Sequence, residues 1–341
     1  MRNGVLALIG RRLLQAAPAV MGIIIVTFVL TRALPGDPAV FFAGPTADAQ
    51  SIAQIRASLG LDKSWPEQFW LYLRSLAAGD LGKAVSTGQP VLQELTTRLP
   101  ASLELTLLGL ALAAAAAIPL GVLAATRPGS WVDHLCRLLV TAGVSLPTFF
   151  TGLFLVYIFY FLLGAAPAPL GRLHIALVEP ARMTGFFLID SLLARDFEVF
   201  RGALAQLLLP ASTLGLFALA PLARMTRAAM LGVLSSDFIR TARAGGLTRW
   251  TVLWVYAFRN AMLPVLTTVG MVFSFLLGAN VLVEKVFAWP GIGSFALEAL
   301  VASDYAAVQG FVLAMALMYV ALNLLIDILY ALVDPRVGVE G

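Results

Sequence analysis

The chain has 341 residues, of which 60% are hydrophobic and 12% charged, with a formal net charge of +4 and a mean hydropathy of +0.90. A soluble domain has no use for that much apolar surface, so the composition places the chain among integral membrane proteins. The single cysteine, Cys136, excludes an intramolecular disulfide and a thiol metal cluster.

Six intervals of at least 19 residues carry no Asp, Glu, Lys or Arg: 13–31, 105–126, 138–171, 202–223, 260–283 and 305–326. A helix needs about 20 residues to cross the hydrocarbon core, so the charge map predicts six transmembrane helices in an all-α fold. Helices are required because open strand edges cannot be satisfied in lipid. The alternating ten-residue strands of an outer-membrane barrel are absent from the sequence. With the N-terminus in the cytoplasm, the inner segments hold 12 positive charges against 4 acids, and the outer segments 11 against 14. That bias predicts both termini inside. The positive balance thus reports topology, and no aromatic-interleaved basic motif points to nucleic acid.

In chain order, residues 1–33 read as a cytoplasmic N-terminus and a first transmembrane helix, retained because no small-x-small cleavage site precedes Arg32. Two prolines in Leu34-Pro35-Gly36-Asp37-Pro38 stop it. Residues 34–100 have soluble composition, with amphipathic stretches at 48–59 and 66–77, and read as an extracytoplasmic module or a folded linker. A five-helix core over 101–332 follows, with helices at about 102–125, 136–163, 205–228, 261–284 and 305–332, then a cytoplasmic tail, 333–341. Pro147 should kink the 136–163 span, and Pro210, Pro221 and Pro264 suggest further bends. Residues 165–201 form a second outer loop.

Nothing in the sequence binds nucleotide or metal by itself. There is no phosphate loop, so the chain is not expected to be an enzyme or to hold a cofactor. Gly291-Ile292-Gly293-Ser294-Phe295-Ala296 imitates a dinucleotide fingerprint without its strand–turn–helix context. His134 and His174 fall on opposite sides of the membrane and cannot share a metal. Three polar residues are candidates for the translocation pathway. Asp327, one turn after Asn323 near the end of the last span, reads as a proton or solute contact or as a hydrogen-bonded structural residue. Glu284 reads as lining the outer mouth or as snorkelling to water.

The stretch from Ser235 to Pro264 is the most basic interval between two apolar spans, with Arg240, Arg243, Arg249 and Arg259 against Asp237. Ser235, Ser236 and Asp237 offer N-cap oxygens, Phe238 to Ala244 continue as a short helix, and Gly245-Gly246 close it. Thr248 can cap the helix that runs to Pro264. Such a helix suits docking on another protein; an ordinary positive cytoplasmic loop fits the charge equally well.

Arg240-Thr241-Ala242-Arg243-Ala244-Gly245-Gly246-Leu247, followed by Arg259-Asn260-Ala261-Met262-Leu263-Pro264, resembles the EAA loop of ABC importer permeases, and more narrowly the peptide/nickel branch. The likeness covers nearly the whole chain. It includes Leu34 to Pro38, Leu59 to Lys63, Gly79-Asp80-Leu81-Gly82, Ser86 to Val91, and Arg98 to Leu105. Thr184-Gly185-Phe186, Ile189-Asp190-Ser191, Arg224 to Arg227, Phe287 to Gly291, Asp304-Tyr305, and Asp334-Pro335-Arg336 continue it. Arg240-Thr241-Ala242 in place of Glu-Ala-Ala, and the longer spacing to Pro264, are shared with that branch. Gly245 stands where the branch commonly has Lys.

The resemblance implies a type I ABC importer transmembrane domain in the inner (plasma) membrane, with residues 236–246 as coupling helix. Asp237, Phe238, Arg240, Thr241, Ala242, Arg243 and Gly246 would form the contact with an ATPase. Phe238, Ile239 and Ala242 would face either the ATPase groove or the bundle. The implied partners are a second homologous permease in a heterodimer, two cytoplasmic ATPase subunits that hold ATP and Mg, an extracytoplasmic solute-binding protein, and membrane lipid. The implied cargo is a dipeptide or oligopeptide. Nickel chelates or glutathione-like peptides are the near alternative, and a proton-coupled secondary transporter using Asp327 the distant one.

Overall fold

Twelve helices carry the described part of the chain, and the one isolated bridge found there joins Lys83 and Pro90. The computed structural model describes residues 2–33, 39–40, 47–58, 60–302 and 304–333. The motif residues Leu34 to Pro38, Leu59 and Asp334-Pro335-Arg336 lie outside the described residues, as does nearly all of the 333–341 tail. Five helices are long and apolar enough to cross a bilayer, over Gly10–Val29, Val91–Thr126, Phe197–Leu234, Thr251–Val286 and Tyr305–Tyr330. A sixth is reached if Trp131–Gly143 and Thr148–Leu162 count as one span.

That pair corrects the expectation of one kinked helix at 136–163. The two halves meet at 105°. Leu146 is extended (φ −109°, ψ 135°), as the ring of Pro147 demands of the residue before it, and this ends the first helix outright. Pro119, Pro210, Pro221 and Pro264 lie inside the continuous helices Val91–Thr126, Phe197–Leu234 and Phe258–Val286, so the bends expected at the last three do not appear there as breaks. Helix ends also run beyond the charge-free intervals. Charge marks where lipid ends, whereas a helix goes on as long as its next turn finds packing or a cap.

The chain divides into two compact units. The first comprises residues 1–99 and 292–321. It holds α1 (Arg2–Ala33), α2 (Ala49–Ser58), α3 (Trp65–Ala77), the start of α4 (Val91–Thr126), α11 (Ile292–Val301) and most of α12 (Tyr305–Val333). The Glu67 carboxylate accepts hydrogen bonds from Ser64 N and Oγ at the head of α3. Phe28 of α1 packs edge-on against Phe69 and stacks near Tyr72, while Arg32 lies 3.9 Å over the Phe28 ring and donates to Gln68. Val91 and Leu95 join Ala84, Ile292, Phe295, Ala299 and Ala307 in a buried apolar cluster. This packing is why α4 begins at Val91, eleven residues before the span expected from 102. Asp304, fully buried, accepts from Ser86 N and Oγ and from Ala307 N, tying the 81–90 loop to the head of α12.

The second unit, residues 100–291 and 322–341, holds the rest of α4, then α5 (Trp131–Ser145) and α6 (Thr148–Leu155), which runs on as a π-helix over Val156–Leu162. After them come α7 (Phe187–Leu193), α8 (Phe197–Leu234), α9 (Asp237–Ala244), a π-helical segment Thr251–Ala257, and α10 (Phe258–Val286). Asp196 caps α8 by accepting from Val199 N at 3.0 Å. The 38 residues of α8 form the axis, buried at intervals along its length and packed chiefly on α10 and α5. Helix α4 meets α8 almost backbone to backbone. A Cβ on Gly109 would sit 3.0 Å from Ala211 O, and one on Gly121 would sit 2.7 Å from Thr226 Cβ and 2.9 Å from Ala223 O. Small residues permit such an approach between membrane helices. Gly121→Val is expected to force the two helices apart and to destabilise the detergent-solubilised protein by about 1–3 kcal/mol. Thermal unfolding of the purified variant checks this, with Gly10→Val, where nothing lies within 4 Å, as control.

Candidate functional site

Helix α9 sorts its residues by face. Ile239 is fully buried among Val122, Ala125, Met230, Val252, Ala257 and Ala261, with Ala242, one turn on, packed against the same cluster. Asp237, Phe238, Arg240, Thr241 and Arg243 are exposed, and Phe238 is 44% accessible despite its apolar ring. Of the three residues left between groove and bundle by the sequence, Ile239 and Ala242 turn inward and Phe238 outward. Arg240 reaches Asp237 at 3.2 Å, a water-exposed pair that contributes little to stability. Gly246, with φ +77°, is the left-handed residue that ends the helix; Gly245 is not.

The expected N-cap does not form. Ser235 and Ser236 donate back to the carbonyls of Gly232 and Val233 in the last turn of α8, and the Ser236 side chain accepts nothing from α9. Thr248 does accept from Thr251 N at 3.3 Å, where the chain re-enters helix. From there Trp250, Trp254 and Phe258 follow one another with ring centroids 5.5 Å apart, leading into α10.

Below α9, the turn Arg127-Pro128-Gly129-Ser130 is tied to α8 by Asp133. Its carboxylate, 2% exposed, accepts from Arg227 Nε at 2.5 Å, from Arg227 and Arg137 Nη2 at 3.2 Å, and from Gly129 N at 2.9 Å. The sequence reading used Asp133 only as one of the inner acids. Its partner Arg227 is 94 residues away, so no local spacing could have announced the pair.

The pathway candidates do not come together. Glu284 is 1% exposed and accepts from Ser102 Oγ at 2.5 Å, so it neither snorkels nor opens to a mouth in this chain. Asn280, one turn earlier, donates to Ser102 O and Thr106 Oγ1, and Trp289 Nε1 donates to Ala101 O. Gly291 completes this layer, since a Cβ there would fall 2.0 Å from Glu284 Oε1. Asn323 is exposed and Asp327 half-buried on α12. The neighbouring Ile326 meets α10 at Gly270, fourteen residues and roughly 21 Å of helix from Glu284.

Between α6 and α8 the chain folds around two buried carboxylates. Glu104 accepts from Arg172 Nη2 at 2.6 Å and from Leu188 N at 2.8 Å, and Arg172 also donates to Gly185 O and lies 3.6 Å over Phe187. Asp190 accepts from Thr184 N and Oγ1, Gly185 N and Met183 N. Burial alone would raise the Asp190 carboxyl; the Thr184, Gly185 and Met183 donors outweigh it and hold the group below its ordinary value. The sequence offered Glu104 and Asp190 only as members of motifs.

Residues 117–339 match the family described as "Binding-protein-dependent transport system inner membrane component", and residues 5–106 match its N-terminal counterpart. The chain belongs to this family. It is similar to the probable D,D-dipeptide transport system permease protein DdpB of Escherichia coli strain K12, 44% identical over 322 residues and 94% of each chain. It is also similar to the di/tripeptide transport system permease protein DppB of Pseudomonas aeruginosa, 42% identical over 97% of this chain and 98% of that one. The dipeptide transport system permease protein DppB of Escherichia coli strain K12 is 41% identical over 96% of this chain and 97% of its own length. The chain is accordingly a multi-pass inner-membrane component of a binding-protein-dependent transport system. No group of residues able to hold a metal ion occurs among the described residues.

In this family member the turn at residues 183–185 is held by the carboxylate of Asp190. Because the folded carboxyl titrates below its unfolded value, its stabilisation is complete above the ordinary carboxylate range near ~4 and is lost as pH falls through the folded value. Asp190→Asn is expected to mimic acidification at neutral pH, raising amide exchange over residues 183–188 while leaving α8 protected. Hydrogen exchange read by mass spectrometry on both proteins checks it.

Proposed function

We propose that this chain forms one half of the translocation pathway of an ATP-driven importer of dipeptides or short oligopeptides. It would pair with a second, similar permease, receive solute from an extracytoplasmic binding protein, and dock two cytoplasmic ATPase subunits. The bent pair α5–α6 would count as one span, giving six, with both termini in the cytoplasm. Residues 34–100 would then lie outside with the 165–196 loop, and α9 inside.

Peptide cargo is supported by the three relatives, whose names specify dipeptides or di- and tripeptides. The observation that carries the coupling reading is the division of α9. One face, Ile239 and Ala242, is fixed on the protein's own helices. The other carries Phe238, Arg240, Thr241 and Arg243 into solvent. An exposed aromatic on the same short helix as two exposed arginines suits a partner surface with an apolar pocket and acidic rim. Because Ile239 is packed on α4, α8 and the segment leading to α10, a pull on α9 would reach three spans at once. Nucleotide-driven closure of the ATPases would then shift the spans between inward-open and outward-open populations by differential affinity for the two states.

The test is reconstitution of the four-subunit transporter with its binding protein. Arg240→Glu with Arg243→Glu places like charge against an acidic rim, which costs several kcal/mol, so peptide-stimulated ATP hydrolysis is expected to fall roughly tenfold or more. The chain itself should stay folded in the membrane, since both positions are exposed. Unchanged stimulation would remove the coupling assignment. Stimulation by nickel chelates or glutathione, and not by dipeptides, would move the substrate within the branch. Asp327→Asn is expected to spare ATP-driven uptake in the same vesicles; uptake that instead follows a proton gradient and ignores ATP would favour the carrier reading.

A further inference from the structure

A cavity of 1060 Å³ lies between α9 and the turn that joins α4 to α5, wholly within the second unit. Its polar side is made by Arg127, Arg243 and Arg249, and its floor by apolar side chains such as Leu231, Leu234 and Val252. The lining includes no acidic residue. Among the described residues, none of the three arginines has a carboxylate within ion-pair distance, unlike Arg227, Arg137 and Arg240. Three uncompensated guanidiniums over a hydrocarbon floor form an amphiphilic receptor. An anion with an apolar tail satisfies both halves, and a free small anion only one.

The depth of the site is marked independently. Trp131 and Trp250, the chain neighbours of lining residues Ser130, Val132 and Arg249, are 75% and 70% exposed. Tryptophans left open in a membrane protein sit at the level of the lipid headgroups. Leu123, which also lines the cavity, is 51% exposed at the end of a membrane-crossing helix. We propose that this cavity is a binding site for an anionic phospholipid, its phosphate held by Arg127 and Arg249 and an acyl chain laid along Leu231, Leu234 and Val252. Basic pockets between transmembrane helices recognise headgroups through this combination of charge and apolar wall. The inference goes beyond transport and requires only that the chain be a membrane subunit. Whatever peptide is carried, the site is unaffected.

The experiment uses the full chain, alone and in the assembled transporter, in nanodiscs of equimolar phosphatidylglycerol and phosphatidylcholine, followed by native mass spectrometry of the lipids retained on extraction. Wild-type protein is expected to retain phosphatidylglycerol in preference. The double variant Arg127→Gln/Arg249→Gln should lower that retention roughly tenfold and leave phosphatidylcholine unchanged. Leu247→Glu puts a carboxylate at the rim of the cavity, at a position already 40% exposed and so without cost to the core. It should lower retention in the same way. Equal retention of the two lipids by wild type, or an unchanged preference in both variants, overturns the proposal. Complete displacement by inorganic phosphate would show a small-anion site instead, and loss of the preference on assembly would show that a partner subunit fills the cavity.

Discussion

Glycine at 109 and 121 lets α4 approach α8 until backbone atoms of one helix lie against those of the other, with Ala211 and Ala223 carbonyls where a side chain would otherwise project. In lipid there is no hydrophobic drive to push two apolar helices together, so contact of this kind has to come from fit. The α4–α8 contact is the frame of the second unit, and what the chain does is attached to its two ends. At one end the pair holds the 127–130 turn through Asp133 and Arg227, and it offers Val122, Ala125 and Met230 as the seat of Ile239. Towards the other end α4 supplies Ser102 and Glu104, on which Glu284, Asn280 and Arg172 converge.

In each unit the buried carboxylates follow a single rule. Each buried carboxylate meets either a guanidinium or a set of N–H and O–H donors: Glu104 with Arg172, Asp133 with Arg227, Asp190 with the Thr184 turn, Asp304 with Ser86. Such pairs add little to stability over apolar packing, yet removal of one member costs about 3–5 kcal/mol because the other is left buried and unpaired. They therefore act less as glue than as registration. A loop that carries one member can settle only where the other is waiting, which is how a long irregular segment such as 165–196 takes a defined course.

Several features were legible along the chain because their causes are local. Gly246 ends α9 through a backbone angle that other residues resist. Pro147 marked the site of an interruption, although its ring ends the helix outright at Leu146 where the sequence suggested only a kink. Others were misjudged for an equally definite reason. Ser235 and Ser236 have the chemistry of N-caps, but the carbonyls of Gly232 and Val233 in the last turn of α8 compete for the same hydroxyls and take them. The start of α4 was set eleven residues late because Val91 and Leu95 owe their helix to an apolar cluster formed with α11 and α12, which lie two hundred positions further on. Glu284, at the end of the 261–284 span and beside Lys285, has the sequence context of a surface acid, and only the arrival of Ser102 shows that it is sealed.

The apolar stretches long enough to cross a membrane and the place where the short basic helix α9 stops came from the sequence alone, because hydrocarbon excludes charge and open backbone residue by residue, and glycine marks a left-handed helix end. Which face of that helix is free, which arginines are neutralised and which are left to line a cavity were decided by the tertiary structure. Ser86 finds Asp304 across 218 residues, Ser102 finds Glu284 across 182, Arg227 finds Asp133 across 94 and Arg172 finds Glu104 across 68. Interactions of that range depend on how helices are laid side by side, and the order of residues along any one helix carries no record of its neighbour.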